Sequence, residues 1–271
     1  MRLSASLVLY NNDPAEFGAA IASYLDGSDG TLTIIDNSPV PLTHPRFSDD
    51  RVEYIFAGEN LGFGRGHNRA LAIIGGRSDA HLLLNPDVAF GTEVLPGLLD
   101  FLHRHPGVGA VMPSIRYRDG SLQQLCKLLP TPIDLLLRRF VPIAALRRRI
   151  NQRYELHGLS QSVPSAIPSL SGCFLLVRTE ALTAIGGFDE RFFMYMEDVD
   201  LVRRIGDRWT TMYQPDVSVE HGYAKASYSD PRLRAAHVRS ALIYFAKWGF
   251  FVDRTRQVRN RSTLNRLLRQ L

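Results

Sequence analysis

Residues 3–10 read LSASLVLY and run into Asn11-Asn12-Asp13-Pro14. The run is apolar almost throughout, as in a strand buried on both faces. It stops at a turn cluster in which Asp13 can cap a helix with Pro14 at its first position. Phe17, Ile21 and Leu25 then fall on one helical face. The same succession recurs downstream. Leu32–Ile35 ends at Asp36-Asn37-Ser38-Pro39, and Val52–Phe56 leads through a glycine-rich turn to a helix over 64–74. Ala80–Leu84 ends at Asn85-Pro86-Asp87 before a helix over 92–104, and Val108–Met112 makes a fifth strand. This alternation predicts an α/β fold with a mostly parallel central sheet and helices on both faces.

After residue 113 the pattern loosens, then returns as a strand-like stretch at Ser169–Val177, helices over 179–185 and 196–206, a strand over 209–213 and a helix over 232–247. One continuous domain over 1–250 is expected. Its first half is 1–113, a connecting segment with a basic insertion is 114–168, a second half is 169–250, and 251–271 is a basic tail. With 45% hydrophobic and 22% charged residues, the 271-residue chain is neither disordered, collagen-like nor a coiled coil. Cys126 and Cys173 cannot form a disulfide framework, which favours a reducing compartment. No apolar stretch reaches the 18 or so residues a spanning helix needs. Met1–Ser6 enters a strand directly, without a signal-peptide pattern. A cytoplasmic protein is expected.

The formal charge is +5, yet it is concentrated in two places. Residues 127–153 hold Lys127, Arg138, Arg139, Arg147, Arg148, Arg149 and Arg153 against Asp134 alone; residues 254–271 hold Arg254, Arg256, Arg259, Arg261, Arg266 and Arg269 and no acid. Setting aside these 13 bases and one acid leaves 19 bases and 26 acids, an acidic body. The first patch also carries Leu135, Leu136, Leu137, Phe140, Val141 and Ile143, and the second Leu264, Leu267 and Leu268. Such a mixture fits helices lying in an anionic membrane interface, apolar face down. It fits equally a solvated basic face over ordinary core leucines. Nucleic acid is disfavoured, because stacking aromatics are missing from both patches, Phe140 aside.

Polar residues gather where strands end, at Tyr10-Asn11, Asp36-Asn37-Ser38 and Asn85-Pro86-Asp87. Ligands of open parallel sheets bind beyond those ends, so the three junctions should face one crevice. Each alone is also an ordinary turn signal. Residues 60–68, NLGFGRGHN, form a glycine-dense segment that lets backbone approach a diphosphate, with Arg65 adding charge. The segment follows the third strand, not the first, which argues against a nicotinamide dehydrogenase. The densest acidic cluster is Glu197-Asp198-Val199-Asp200. Glu197 and Asp200 share a helical face while Asp198 points elsewhere. A carboxylate at a helix start stays ionised and suits a base for a sugar hydroxyl; the cluster also fits plain capping with a pair to Arg203 or Arg204. His221 closes a short alternating stretch, where a lone histidine is more often structural than a ligand.

Taken together, VLYNND, IIDNSP, NLGFGRGHNRAL, LLLNPDV, SGCFLLVRTEAL, GGFDERFFMYMEDVDLVRRI and EHGYAKAS resemble family 2 glycosyltransferases of the GT-A fold. Within that family they are most similar to the bacterial rhamnosyltransferases of O-antigen and cell-wall polysaccharide assembly. The resemblance covers about residues 3–250 and implies a nucleotide-binding first half and an acceptor-binding second half. Tyr10 and Asn11 would line the nucleotide pocket, and Asp36 would accept the imide N–H of uracil or thymine. Asn60, Gly62 and the Arg65–Asn68 stretch would lie along ribose and diphosphate. Asp87 resembles the last residue of the family's metal-binding Asp-Xaa-Asp motif, whose first acid is Asn85 here, at the cost of one negative charge. His221 would complete the shell of a Mg²⁺ or Mn²⁺ ion. Asp198 resembles the catalytic base, with Glu197 beside it, and Ser171-Gly172-Cys173 an acceptor-side wall.

The resemblance thus implies an inverting transfer, with dTDP-L-rhamnose as donor and a polyprenyl-diphosphate-linked saccharide as acceptor. The enzyme would be peripheral on the inner face of the cell membrane, docked through residues 127–153 and 254–271. A UDP-sugar donor (galactofuranose or N-acetylglucosamine) and a non-catalytic membrane-associated scaffold are the alternatives. The catalytic reading requires Asp87 and Asp198 to share one cleft.

Overall fold

The structure, a computed structural model, describes residues 1–137, 144–222 and 231–268. Arg138, Arg139, Phe140, Val141 and Ile143 of the first basic patch, Arg269 of the second and the 223–227 part of EHGYAKAS lie outside the described residues.

Strand β1 (Leu3–Leu9) is flanked by β2 (Thr31–Asp36) and β4 (Ala80–Leu84), both parallel to it, and β3 (Val52–Phe56) extends the ladder beyond β2. Helix α1 (Pro14–Gly27) begins where Asp13 accepts from the Ala15 N–H at 2.8 Å. It buries Phe17, Ile21 and Leu25, together with Tyr24, against the sheet. Helices α2 (Phe63–Ile74) and α3 (Val94–Arg104) complete the parallel half. The other half is mixed. β8 (Phe174–Arg178) runs antiparallel to both its neighbours, β4 and β6 (Val108–Arg116), and β6 pairs in parallel with β9 (Thr210–His221). Two-residue strands β5 (Val88–Ala89) and β7 (Ser165–Ala166) pair antiparallel with β9. The strand order is β3-β2-β1-β4-β8-β6-β9-β5. The expected parallel sheet is therefore carried by β1–β4 and by β6 with β9, and β8 is inserted against its direction.

The sheet is threaded by a buried file of polar side chains. Ser6 Oγ lies 2.6 Å from His67 Nδ1 and 2.7 Å from His81 Nε2, and His81 Nδ1 lies 2.8 Å from Ser4 Oγ. Ser4 continues to Ser78 at 2.7 Å. Burial pushes both imidazoles down to about 3, so they are neutral at ordinary pH.

Helices α5 (Thr179–Ile185), α6 (Glu197–Ile205) and α7 (Pro231–Trp248) follow β8 and β9, and α4 (Ala144–Tyr154) lies in the connecting segment. The region read as a basic tail contains helix α8 (Arg254–Leu267), started by Asp253, which accepts from the Arg256 N–H at 2.9 Å. Its inward residues are Arg256, Asn260 and Thr263, one per turn. Asn260 bonds both the N–H and the C=O of Leu129 at 2.9 Å, and Arg256 reaches the carbonyls of Pro130, Gly249, Phe250 and Phe251. Leu264 and Leu267 pack against the core. Two of the three leucines of the expected membrane-facing stripe thus face the protein, Leu268 stays exposed, and a polar face anchors the helix. Among the described residues no helix is long and apolar enough to cross a membrane.

Candidate active site

The carboxyl ends of β1, β2 and β4 open on one edge of the sheet. Asn37 donates its N–H to the Leu9 carbonyl at 2.8 Å, and Ser38 Oγ accepts from the Asn11 N–H at 2.9 Å. Beyond β4, the short β5–β9 ladder pairs Val88 with His221, which sets Asp87 beside that histidine. Asn85 donates its N–H to the Cys173 carbonyl at 2.8 Å, bringing the turn before β8 to the same place. Helix α6 opens into this edge with Glu197 and Asp198 at its first turn. The two residues before it, Tyr195 and Met196, have φ of 66° and 68°. Consecutive left-handed residues of this size are held only where surroundings enforce them.

Asp198 and Gly172 define the floor. The Gly172 N–H donates to Asp198 Oδ2 at 3.1 Å, and Oδ1 accepts from Val199 at 2.8 Å. Around them lies a cavity of about 430 Å³, lined among others by Asn85, Lys127, Tyr154, Glu197 and His221. The Cys173 thiol is pushed up to about 12 by burial, with the charges of Asp87 and Asp198 adding to the shift. Asp198 lines this cavity together with His221, whose ring reaches Asp87 at 3.2 Å.

The charge state of the acidic pair differs from the expected comfort of carboxylates at a helix start. Burial, then the neighbouring Asp198, pushes Glu197 up to about 8. Asp198 is raised too, by burial, against the opposing pull of its two backbone donors and Lys127. Desolvation outweighs the helix dipole here. Burial thus disfavours charge on both carboxyls, with the neighbouring Asp198 adding to the rise at Glu197. The third acid, Asp200, is fully buried and pairs with Arg204 and Lys247, both at 2.7 Å, while Arg203 pairs instead with Asp253.

The metal-type residues fit a divalent cation. Gln123 Nε2 donates to the His221 carbonyl at 2.8 Å, which fixes the amide so that its Oε1 accepts from His221 Nδ1–H at 2.9 Å. Nε2 of the ring is thereby turned toward Asp87 Oδ1 at 3.2 Å. Two acceptors at that distance call for a proton on Nε2 or a cation between them. Asn85 Oδ1, buried and without a hydrogen-bond partner, adds a neutral oxygen. Among the described residues no three His, Cys, Asp or Glu side chains converge; the residues that could hold a cation are Asp87 and His221, with Asn85 on the same cavity as His221.

The glycine-rich segment is placed against the site. Gly62, at φ 79°, lies so close to the Phe193 carbonyl that a Cβ would collide with it, and Phe63 donates its N–H to the same oxygen at 3.2 Å. Asn60 Oδ1 accepts from Gly62 N–H at 3.0 Å, and Tyr10 and Asn11 stand exposed just beyond the end of β1. Two of the expected donor-side residues are held by the protein's own groups. Asn68 turns away: its amide accepts from Phe188 N–H at 2.8 Å and donates to the Phe188 carbonyl at 2.9 Å, so it clamps the 187–190 turn, and Arg65 leans toward Glu190 at 3.6 Å. Asp36 is 0% exposed. Its oxygens accept from Ser38 N–H at 2.9 Å, Leu42 N–H at 2.8 Å and Tyr54 OH at 2.6 Å. Burial works against its charge, and these donors more than compensate, holding it below the usual carboxylate range. Asp36 thus orders the 36–42 loop from within.

Ser171, Gly172 and Cys173 line the cavity as expected. Sequence reasoning missed Gln123, Tyr154 and Tyr195, and it assigned Lys127 to a membrane patch. Lys127 instead faces the cavity, 5.9 Å above the Tyr154 ring.

The mixed sheet is that of the GT-A fold, which the chain shares with solved glycosyltransferases. The chain belongs to glycosyltransferase-like family 2, whose model matches residues 42–240. It is 37% identical over 210 residues to the N-acetylglucosaminyl-diphospho-decaprenol L-rhamnosyltransferase of Mycobacterium tuberculosis, covering 72% of this chain and 67% of that protein. Among solved structures, GalNAc-T7 with UDP, GalNAc and Mn²⁺ aligns over 91% of this chain and 48% of its own, with a TM-score of 0.63 and 11% identity. The Pyrobaculum calidifontis mannosyltransferase PcManGT, with GDP-Man and Mn²⁺, aligns over 90% and 64%, with a TM-score of 0.59 and 16% identity. This chain thus spans about half of the first solved structure, and at these identities both likenesses concern the fold alone.

Proposed function

We propose that this glycosyltransferase moves L-rhamnose from dTDP-L-rhamnose onto a saccharide carried by a polyprenyl diphosphate, with inversion, at the cytoplasmic leaflet of a membrane. The observation that carries the reading is that His221, 3.2 Å from Asp87, lines the same cavity as Asp198. The activity for which the mycobacterial relative is named supports the sugar and the lipid-linked acceptor.

Asp198 takes the proton of the acceptor hydroxyl. Its ionised form is kept available by two backbone donors, and its affinity for a proton is increased by burial. Glu197, protonated, lies beside it as a hydrogen-bond donor to acceptor oxygens. Asp87, His221 and Asn85 would hold Mg²⁺ or Mn²⁺. When bound, the ion neutralises charge on the departing diphosphate. Lys127 supplies a further positive charge on the cavity wall, and attack from the face opposite the leaving group needs no protein nucleophile.

The test is incubation with dTDP-L-rhamnose or UDP-sugars and a synthetic polyprenyl-diphosphate N-acetylglucosamine, with and without EDTA. Rhamnosyl product from the dTDP donor alone, lost with EDTA and lowered at least about a thousandfold in Asp198→Asn, is the expected result. Transfer only from a UDP-sugar would overturn the donor assignment. An unimpaired Asp198→Asn enzyme would remove the proposed base.

A further inference from the structure

Helix α7 has two differently built faces. Ser240, Ala241, Tyr244 and Phe245 are buried, the last three against Phe192 and Met196, just ahead of α6. Ser240 Oγ donates to the Met194 carbonyl at 2.8 Å, and His237 lines the acceptor cavity. The opposite face is exposed, and Ala235, Val238, Leu242 and Ala246 follow one another along it at spacings of three and four residues. Such spacing keeps them in one stripe. The stripe leads to the corner between α7 and α8, where Phe251 and Val252 are 85% and 76% exposed, the two most exposed large apolar side chains among the described residues.

Charge on this face has one sign. Arg234 and Arg239 are exposed on α7, and Arg254 is exposed beyond the corner. From 231 to 252 the sequence contains no Asp or Glu. The acid that follows, Asp253, is buried against Arg203. The corner is also braced outward, because the buried Arg256 guanidinium ties the carbonyls of Gly249, Phe250 and Phe251 from behind at 3.3–3.5 Å. A convex apolar tip, fixed in place and rimmed by arginines, matches an anionic lipid surface in shape and in charge.

We propose that the outward stripe of α7, together with the Phe251–Val252 corner, docks this enzyme on an anionic phospholipid bilayer. Phe251 and Val252 enter the acyl boundary while Arg234, Arg239 and Arg254 lie at lipid phosphates. The docking surface expected from sequence thus moves from the leucines of α8, which face the protein, to the helix before it. Since α7 also walls the acceptor cavity, docking brings that cavity to the level at which a lipid diphosphate sits. The assignment rests on the lipid-linked acceptor proposed above.

The test is flotation of the full chain with phosphatidylcholine vesicles containing about 30% phosphatidylglycerol. Wild type floats with them, and the Phe251→Ser/Val252→Ser double variant and Arg239→Glu each lose at least about fivefold of the bound fraction. Neither change touches the cavity, so transfer onto a lipid-free acceptor analogue stays unchanged while transfer onto the vesicle-borne acceptor falls. In Phe251→Trp, lipids brominated on the acyl chain quench the fluorescence of the new indole beyond any quenching in wild type. Wild type that does not float, a double variant that floats equally well, or an indole that escapes quenching overturns the proposal. Self-association without vesicles that disappears in the double variant would make the face a protein interface and likewise overturn it. Normal flotation with no sugar transfer to any acceptor would defeat the functional reading and leave the docking surface standing.

Discussion

Gly172 and Asp198 are in direct backbone-to-carboxylate contact: the glycine N–H donates to Oδ2 at 3.1 Å, and a Cβ at Gly172 would stand 3.1 Å from that of Asp198. The glycine thereby sets how deeply the proposed base sits.

Gly172→Ala should displace Asp198 by a few tenths of an ångström without filling any core space. The expected outcome is a turnover number about 10- to 100-fold lower, with donor KM and melting temperature little changed. Steady-state kinetics with calorimetry would check it, and an alanine enzyme with full turnover would show that this contact does not position the base.

Glu197 gives the enzyme a pH-dependent stability. Its folded-state value of about 8 lies well above that of an unfolded glutamate, so the native state holds a proton that the unfolded chain has lost between about pH 4.3 and 8. Stability from this group is complete below that window and declines as pH rises through it, by at most about 1.4 kcal/mol per pH unit. Glu197→Gln removes the titration, so its melting temperature should gain on wild type steadily from pH 5 to pH 8. Thermal melts across that range decide the point, and parallel curves would contradict it.

Gln123 acts on the metal-type pair through His221, whose tautomer it fixes. Gln123→Leu should raise the Mn²⁺ concentration for half-saturation about 10- to 100-fold, seen both in activity and in the electron paramagnetic resonance of bound Mn²⁺. An unchanged binding curve would leave His221 without a role in holding the ion.

Arg203 and Asp253 form a bidentate pair at 2.7 and 2.8 Å, almost wholly buried, with the guanidinium 4.0 Å from the Trp248 ring. Asp253→Ala strands that cation and should cost about 3–5 kcal/mol. Arg203→Met/Asp253→Leu should recover most of the loss in chemical denaturation. A single variant as stable as wild type would mean that the pair does not secure α8.

Much of the sheet was legible because its strands are short apolar runs ended by turn residues, and the bounds of β3 and β4 match the reading residue for residue. The direction of β8 was not, since an apolar run carries no sign of which way it will be laid. Helix α8 escaped because its buried stripe is Arg256, Asn260 and Thr263, residues whose burial is stabilised by hydrogen bonds to distant carbonyls and leaves no hydrophobic period. In the site, acids and histidine at strand ends stood out, while Gln123 is indistinguishable from any surface glutamine until β9 folds over it. The internal hydrogen bonds of Asn68 and Asp36 were illegible for a shared reason: a polar side chain beside a loop reads alike whether it faces a ligand or its own backbone.

The file of side chains from Ser78 through Ser4, His81 and Ser6 to His67 cannot set its hydrogens one link at a time. A neutral imidazole gives with one nitrogen and receives with the other. If His81 gives toward Ser4, it must receive from the hydroxyl of Ser6, and His67 must then give to Ser6, leaving its Nε2 as a bare lone pair. Ser6 has a single hydrogen to give, so at most one of the two rings can receive from it, and replacing Ser6 by alanine would let the rings choose independently.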